Sequence, residues 1–508
     1  MRFFDIFCIM KKIKIIASVL AISLVGALFV SCGGKKNAQD VIRISISSEP
    51  DAFFPWKAAS SDSKAIIYNI YDSLTFFDAD GKIIPQIAKN WSVSEDGLVY
   101  TFNLESGIKF HDGSALTEKD VLYTYKNMAG LDGYTVKNDS MTIVSSVESP
   151  EAGVVVITLK SPSSEFVNLC ATCPVVKDGA TADDPIIGSG PYKFVSYDIH
   201  NKVVLERNDE YWNNARKGKI NTAELYVMTN ESATLSALSS NQIDVAQLIT
   251  PGTAKAMSSN FTLVNTPQNM VQILAMNNLV KPFDDIRVRK AISMAVNKKE
   301  IIAGVMDSSA TELYSNFSPI MKSYYNDELK NVNPYDPDRA KALLAEAGYP
   351  KGFEMTITVP SNYQAHMDTA QVIVNNLAQI GIKAKIEGIE WTTWLSRVYT
   401  QKDYETSVIA FGGKLEPSNI LRRYYSTYKR NFVNYKNPAF DKAFDEAFSA
   451  LTQEEQTAKY KECQKYLAED APAVFICDPN NAVLTQKNVK GYVCYPVVFY
   501  DLSSYYFE

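Results

Sequence analysis

The sequence predicts an α/β protein of two or three lobes, and three observations support this. The chain has 508 residues, which is too many for a single hydrophobic core. Stretches in which apolar and polar side chains alternate, as in half-buried strands, recur along it, for example at 41–46, 99–104 and 382–386. Between them lie stretches with apolar residues at helical spacing, for example 288–296 and 340–347.

The amino terminus predicts export from the cytoplasm. Lys11, Lys12 and Lys14 precede an apolar run at 15–30, which ends at Ser31 and Cys32. A basic segment, an apolar core and a small residue before the break are typical of a signal peptide, so we predict that residues 1–31 are removed. The run is short for a membrane span, and a single uncleaved anchor is the alternative.

Cys32 is the predicted lipid attachment site. A Cys directly at the break resembles a bacterial lipobox, with Leu28 four residues before it and Phe29 where Leu is usual. Lipidation would make Cys32 the first mature residue, and residues 32–40 would be a short tether. The residues before Lys11 are unusual for a signal, and Met10 is an alternative start.

Composition argues against several classes of site. The formal net charge of −6 disfavours nucleic-acid binding, which usually shows a basic face. Cys170 and Cys173 have the spacing of a redox pair or of half a zinc site. The chain has no second such pair nearby and only three His, so a local disulfide or two ordinary thiols fit better. One bridge among Cys463, Cys477 and Cys494 is also possible.

Residues 81–125 are the most diagnostic stretch, and we predict two short strands and the start of a helix there. Asp96-Gly97 is a tight-turn pair, and the strand pattern at 99–104 follows it. Asp112-Gly113 predicts a second turn. Thr117 and Asp120 then have the spacing of a capping box before an apolar helix start at 121–123. The stretch offers no nucleophile, metal cluster or phosphate loop, so it indicates structure rather than chemistry.

Other elements are predicted in order along the chain. Helices are expected at 67–74, at 235–241 and after an N-cap at Asp336, and a further helix at 366–380 is closed by Gly381. Asp244 begins a strand, and further strands are expected at 382–386 and 471–476. The two glycines and the proline at 188–191 predict a bend where a strand leaves one lobe for another.

Several motifs in this order resemble one known family. The first three are Glu49-Pro50, the block at 81–125 and Gly188-Ser189-Gly190-Pro191-Tyr192. The next is Asn208-Asp209-Glu210-Tyr211-Trp212. The last is the run 282–298, which contains Asp284-Asp285-Ile286-Arg287-Val288-Arg289 and Ala295-Val296-Asn297-Lys298. The chain thereby resembles the family 5 extracellular solute-binding proteins, the peptide-, nickel- and oligosaccharide-capturing partners of ABC importers. The resemblance covers about 41–500.

The resemblance implies a periplasmic-binding-protein-like fold of type II, cluster C. In this venus flytrap two main lobes close on a ligand by hinge motion, and a third lobe is added. Lobe I would comprise 41–68, 191–270 and 481–508, lobe II would comprise 69–190, and lobe III would comprise 271–480. The protein would be a monomer in the cell envelope, in the periplasmic space or at the outer face of the membrane, anchored by lipid on Cys32. It would deliver its ligand to an ABC permease, with no catalytic residues, metal or cofactor.

The resemblance also points to ligand-contacting residues. They are Glu49, Phe53, Trp391, Trp394, Phe411, Gly412, Gly413 and Lys414. In peptide-binding relatives an Asp holds the ligand ammonium in the loop that matches 410–417. Here Gly413 stands at its position, and Lys414 adds a positive charge beside it. Dipeptide specialists add an Arg in the stretch that matches 359–364, which has none here.

The leading hypothesis is therefore an oligopeptide-binding lipoprotein rather than a strict dipeptide binder. Its alternative keeps the fold and binds an oligosaccharide, an opine-like compound or a metal chelate. An extracellular hydrolase is disfavoured because neither Gly-x-Ser-x-Gly nor His-Glu-x-x-His occurs. Two-carboxylate catalysis finds no support in any spacing, and an adhesin or receptor role would be secondary.

Overall fold

A twelve-stranded mixed sheet runs through the computed structural model, which describes residues 40–508. The predicted signal peptide at 1–31, Cys32 and all of the predicted tether except Asp40 lie outside the described residues. The architecture below belongs to the unit formed by residues 42–508. No helix within the described part of the chain is long and apolar enough to cross a membrane.

Twenty strands alternate with thirteen α-helices within residues 40–508. The strands are β1 (Val41–Ile46), β2 (Thr75–Phe77), β3 (Ile83–Pro85), β4 (Ala88–Val93), β5 (Val99–Leu104), β6 (Val144–Glu148), β7 (Val154–Leu159), β8 (Tyr192–Asp198), β9 (Lys202–Arg207), β10 (Thr222–Val227), β11 (Val245–Ile249), β12 (Thr262–Pro267), β13 (Met270–Met276), β14 (Ala310–Glu312), β15 (Glu354–Pro360), β16 (Lys383–Ile389), β17 (Thr406–Gly412), β18 (Ala473–Thr485), β19 (Val489–Lys490) and β20 (Tyr506–Phe507).

The helices are α1 (Ser61–Ile70), α2 (Glu118–Ala129), α3 (Phe166–Ala171), α4 (Glu231–Ser239), α5 (Pro251–Met257), α6 (Ile286–Ala295), α7 (Lys298–Gly304), α8 (Pro337–Glu346), α9 (Gln364–Ala378), α10 (Trp391–Thr393), α11 (Pro417–Leu421), α12 (Pro438–Ser449) and α13 (Gln453–Asp470). A π-helical segment, Trp394–Thr400, continues α10, and 3₁₀ turns lie at Asp139–Ile143, Asn214–Arg216, Asp327–Asn331 and Arg422–Tyr424.

The large sheet has two sections that share one long strand. Section 1 contains β8, β9, β10, β1, β11 and β12, and section 2 contains β13, β14, β15, β16 and β17. The first half of β18, residues 473–479, pairs with β13 and β14. Its second half, residues 480–485, pairs with β11 and β12. A separate four-stranded sheet has the order β4-β5-β7-β6.

Apolar residues at helical and strand spacing build a core around each sheet region. In α6 the side chains of Val288, Ala291, Ile292 and Ala295 repeat at intervals of three and four, and all are buried in the core of section 2. In β5 buried residues alternate with half-buried ones, and the buried Tyr100, Phe102 and Leu104 pack under α2 and α3. Section 1 has its own core beneath α1.

The capping box and the two turns predicted in residues 81–125 are confirmed. Thr117 and Asp120 form the capping box of α2, with Thr117 N donating to Asp120 Oδ2 at 2.7 Å. Gly97 and Gly113 both have positive φ in the predicted turns. The stretch contains three strands, however, because the short β3 precedes β4 and β5.

The prediction of a helix at 67–74 is wrong for residues 71–74. The structure ends α1 at Ile70, and Tyr71 is already extended with φ −121°. The reason lies in Asp72, which is fully buried and accepts hydrogen bonds from Gln86, Tyr211 and Trp212. These long-range bonds favour an extended path that local propensity does not predict.

The predicted bend at 188–191 is held by backbone contact. Gly190 N donates to Ile70 O at 2.8 Å, and a Cβ at Gly190 would collide with the backbone of residues 69–70. His111 bridges the same bend, with Gly188 N donating to Nδ1 and with Nε2 at 3.0 Å from Gly190 O. The turn at 110–113 and the bend at 188–191 are therefore held together by hydrogen bonds.

Candidate ligand cavity

A cavity of about 990 Å³ lies where the two sections of the large sheet meet the region of the four-stranded sheet. Section 1 contributes residues after β1, the start of α1 and the C-terminal segment 492–500. Section 2 contributes Met270 and the loop 412–416 that follows β17. The third wall comes from residues around α2 and α3. No residue of 81–125, all of which are described, lines this cavity.

Asp62 holds two of these walls together. This residue is 2% exposed, in the first turn of α1. Its carboxylate accepts hydrogen bonds from Ser48 N at 2.7 Å, from Ser48 Oγ and from the hydroxyl of Tyr500. The end of β1 and the C-terminal segment are thereby fixed to α1. The carboxylate is used within the protein, which leaves it little capacity for a ligand.

The C-terminal wall is an irregular segment in which several main-chain N–H groups are unpaired. Residues 492–498 belong to no strand or helix. The main-chain N–H groups of Tyr492, Val493, Cys494, Tyr495 and Val497 donate to no protein acceptor within residues 40–508. Such groups are strong donors that must find a partner in water or in a ligand. Sequence reasoning missed this wall, although the density of Tyr and Phe in the last twenty residues was an available signal.

The loop after β17 brings three predicted site residues to the cavity. Gly412, Gly413 and Lys414 line it, and Gly413 N donates to Asn269 O at 2.5 Å. A Cβ at Gly413 would overlap the amide group of the Asn269 side chain. Asn269 is itself fixed, with positive φ and with Nδ2 donating to Pro496 O at 2.9 Å. The Asn269 side chain therefore occupies the space into which a side chain at position 413 would extend.

Three further predicted residues lie together outside the cavity lining. The rings of Trp391 and Trp394 are stacked at 5.4 Å, and Trp394 Nε1 donates to Ser407 Oγ at 3.0 Å. Phe411 packs against Phe432 at 5.5 Å and belongs to the same aromatic cluster. Trp394 is 1% exposed, whereas Trp391 and Phe411 are half-buried. Their contact with a ligand stays a prediction.

Glu49 and Phe53 also lie outside the cavity lining, after β1. The Tyr197 hydroxyl and His200 N donate to Glu49, and these bonds, the Tyr197 bond foremost, lower the pKa of its carboxyl. Phe53 packs against the rings of Phe194 and Tyr197 at 4.9 and 5.2 Å. Both residues brace the end of β1 against β8, and their role in binding stays a prediction.

The main chain passes between sections 1 and 2 twice within residues 42–508, beside the cavity. One passage is Gln268-Asn269, between β12 and β13, and the other lies inside β18. Asp478 of β18 joins them, since its Oδ1 accepts from Gln268 N at 3.1 Å and from Met270 N at 3.2 Å. Burial raises the pKa of this carboxyl to about 6. Two adjacent strand passages of this kind can act as a hinge.

Cysteine and histidine form no reactive or metal-binding cluster in the described part of the chain. Cys170, Cys173, Cys463, Cys477 and Cys494 are free thiols, and all but Cys494 are buried. Burial raises the pKa of the Cys173 and Cys477 thiols to about 12, which makes them poor nucleophiles. Of the two alternatives for Cys170 and Cys173, a local disulfide or two ordinary thiols, the structure has the two thiols.

Comparison with known proteins gives a consistent result. The family model for bacterial extracellular solute-binding proteins, family 5, matches residues 82–432. The glutathione-binding protein GsiB of Pectobacterium atrosepticum is 27% identical over 92% of this chain and 94% of its own length. Di/tripeptide-binding protein 1 of Pseudomonas aeruginosa is 28% identical over 98% of this chain and 99% of its own.

A solved structure shows the same fold. HbpA2 from Haemophilus parasuis superposes with a TM-score of 0.83 at 23% identity, covering 92% of this chain and 100% of its own. The predicted type II periplasmic-binding-protein fold is therefore confirmed.

Proposed function

Because the chain belongs to family 5 of the bacterial extracellular solute-binding proteins, we propose that it captures peptides in the cavity beside the hinge and releases them to an ABC permease. Proteins of this family are extracellular or periplasmic, and they bind and deliver a solute without converting it. The chain is thus a binding protein and not an enzyme. Oligopeptides are the proposed ligands, in preference to a strict dipeptide.

The unpaired main-chain N–H groups at 492–495 and 497 carry this proposal. An extended peptide can add itself to such a segment as an extra strand, with its carbonyl groups accepting from the free N–H groups. Binding of this kind depends on the peptide backbone and tolerates many side chains. The volume of about 990 Å³ lies at the upper end of small-ligand pockets, roughly 300–1,000 Å³, and suits a ligand of several residues.

Loss of the terminal anchors favours longer peptides. Gly413 cannot hold a ligand ammonium, and the stretch 359–364 offers no Arg for a carboxylate. A dipeptide would depend on both ends, whereas a longer peptide gains affinity from each main-chain hydrogen bond. The two curated relatives are named for glutathione, itself a tripeptide, and for di- and tripeptides. Peptide capture by this chain is consistent with both names.

Native mass spectrometry of the mature protein with its co-purified ligand tests the proposal. A bound population of peptides two to five residues long would support it, with titration calorimetry on a tripeptide and tetrapeptide series giving affinities. The missing end anchors also favour the alternative, in which the same cavity holds an oligosaccharide, an opine-like compound or a metal chelate. A bound non-peptide mass, together with no heat from the peptide series, would overturn the leading proposal in favour of that alternative.

Anchoring and lobe motion complete the proposal. Cys32 would carry the lipid that holds a monomeric protein at the envelope, and an intact-mass measurement that finds Cys32 unmodified in the membrane-bound protein would contradict this. Lobes I and III, with the predicted boundaries, would close about the two strand passages. The hydrogen bonds of Asp478 join these passages to each other, next to the predicted boundary between lobes I and III, and so support a hinge there.

A further inference from the structure

We infer that the cavity selects ligands of one charge class, namely peptides that carry acidic side chains. This inference rests on the proposed peptide binding and adds what the peptide must be. The observation behind it is that three lysines from separate parts of the chain converge on one cavity, and none of them has an anionic partner in the described protein.

The three lysines reach the cavity from its three walls. Lys64 lies in α1, Lys137 lies in the loop after α2, and Lys414 lies in the loop after β17. All three are exposed. No carboxylate of residues 40–508 lies within 4 Å of any of their ammonium groups. A ligand in the cavity would therefore meet positive charge from every side.

The acidic residues of the same walls do not offset this charge at the cavity surface. Asp62 and Glu416 are the carboxylates among the described lining residues, and they are 2% and 7% exposed. Asp62 is hydrogen-bonded to β1 and to Tyr500, as described above. Glu416 Oε2 accepts from Asn419 Nδ2 at 3.2 Å. The exposed charged groups of the wall are therefore all lysines.

This local charge runs against the composition of the chain. The formal net charge of the chain is −6. A concave surface with three unpaired lysines therefore has the opposite sign of charge from the chain as a whole. A cleft lined by one sign of charge concentrates ligands of the opposite sign, and the attraction strengthens as closure excludes water. Gly413 acts in the same sense, because a carboxylate at that position would neutralise Lys414.

Titration calorimetry with isosteric peptides tests the inference. The series is Ala-Glu-Ala, Ala-Gln-Ala and Ala-Lys-Ala, with matched tetrapeptides, against the mature protein at low and high salt. We expect Ala-Glu-Ala to bind roughly fivefold or more tightly than Ala-Gln-Ala, and Ala-Lys-Ala to bind least, since exposed ion pairs contribute about two- to fivefold each. High salt should reduce the difference.

A triple variant, Lys64→Gln, Lys137→Gln and Lys414→Gln, assigns the effect to the cavity. It should lose the preference for Glu over Gln, and a circular-dichroism spectrum and a urea midpoint like those of the wild type show that it is folded. The matched control is Lys341→Gln in α8, which removes an exposed, unpaired lysine outside the cavity lining and should keep the preference.

Equal affinity for all three peptides, or a preference for Ala-Lys-Ala, would overturn the inference and leave peptide capture intact. A preference for Glu that persists in the triple variant would also overturn it. Absence of binding by every peptide would contradict the proposed function itself, and this inference would fall with it.

Discussion

Gly413 and Asn269 show how a single contact decides what a binding site can hold. The loop after β17 lies so close to the passage between β12 and β13 that Gly413 donates its N–H to Asn269 O. The Asn269 side chain then occupies the space that a Cβ would need. A carboxylate side chain at position 413 would therefore displace the passage at 268–269.

A double-mutant cycle tests this contact. Gly413→Ala should lower the free energy of unfolding by about 1–3 kcal/mol, because a methyl group is forced into a filled space. Asn269→Gly removes the opposing side chain and tolerates the positive φ of that residue. In that background Gly413→Ala should cost clearly less, as measured by urea unfolding of all four proteins. Additive effects, with no coupling between the two positions, would show that the overlap is relieved elsewhere.

Glu165 is a second residue whose setting has a measurable consequence. It is fully buried where the region of the four-stranded sheet meets section 2. It accepts hydrogen bonds from Ser418 N at 2.6 Å, from Ser418 Oγ and from the Tyr460 hydroxyl at 2.7 Å. Burial outweighs these bonds and raises the pKa of the carboxyl from 4.5 to about 7. The folded protein therefore binds this proton more tightly than the unfolded chain does.

The sign of the resulting pH dependence is fixed. A raised folded-state pKa contributes stability that is fully present below pH 4.5 and is lost as the pH rises through about 7. Glu165→Gln keeps an acceptor oxygen and cannot ionise. As the pH rises from 4.5 to 8, the wild type should therefore lose about 2–3 kcal/mol of unfolding free energy relative to this variant. Denaturant unfolding across this range measures the difference. The exposed Glu151→Gln variant should follow the wild type, and a parallel curve for Glu165→Gln would contradict the assignment.

At the scale of elements, the sequence predicted whatever depends on neighbouring residues. Strands β1 and β5, the capping box of α2 and the Asp336 N-cap of α8 lie where alternation, periodicity and cap chemistry put them. It missed what depends on distant partners. The hydrogen bonds of Asp72 favour an extended backbone where a helix was predicted. The strand predicted at 471–476 continues as β18 to Thr485, because strands from both sections pair with it.

The candidate site divides along the same line. Gly412, Gly413 and Lys414 were found through a motif, whereas the wall at 492–498 has no regular pattern and depends on where the C-terminus returns. Lys64 and Lys137 look like ordinary surface lysines in the sequence. Only the arrangement of α1, α2 and β17 around one cavity brings them beside Lys414.

β18 is the element on which lobe motion would depend, and Asp478 is its contact with the neighbouring passage. Asp478→Ala leaves the N–H group of Met270 without its acceptor and leaves that of Gln268 with only the longer bond to Pro479 O at 3.3 Å, at a cost of roughly 1–3 kcal/mol. Hydrogen exchange should become faster at these two amides and stay unchanged in β5. Asp478→Asn retains an acceptor oxygen and should protect them. Unchanged exchange in Asp478→Ala would mean that the carboxylate does not hold the two passages together.

At the scale of the whole molecule, the two passages at 268–269 and within β18 allow one principal motion, in which section 2 turns relative to section 1 and narrows the cavity between them. A peptide that bridges the 492–497 wall and the 412–414 loop would stabilise the narrowed state, since it interacts with both sides at once. Small-angle X-ray scattering should then show a smaller radius of gyration at saturating peptide than without it. Ala-Lys-Ala at the same concentration serves as the weak-binding control and should leave the radius nearly unchanged. Full occupancy by calorimetry with no change in the radius would show that the ligand binds to one section alone, and hinge closure would have to be abandoned for this chain.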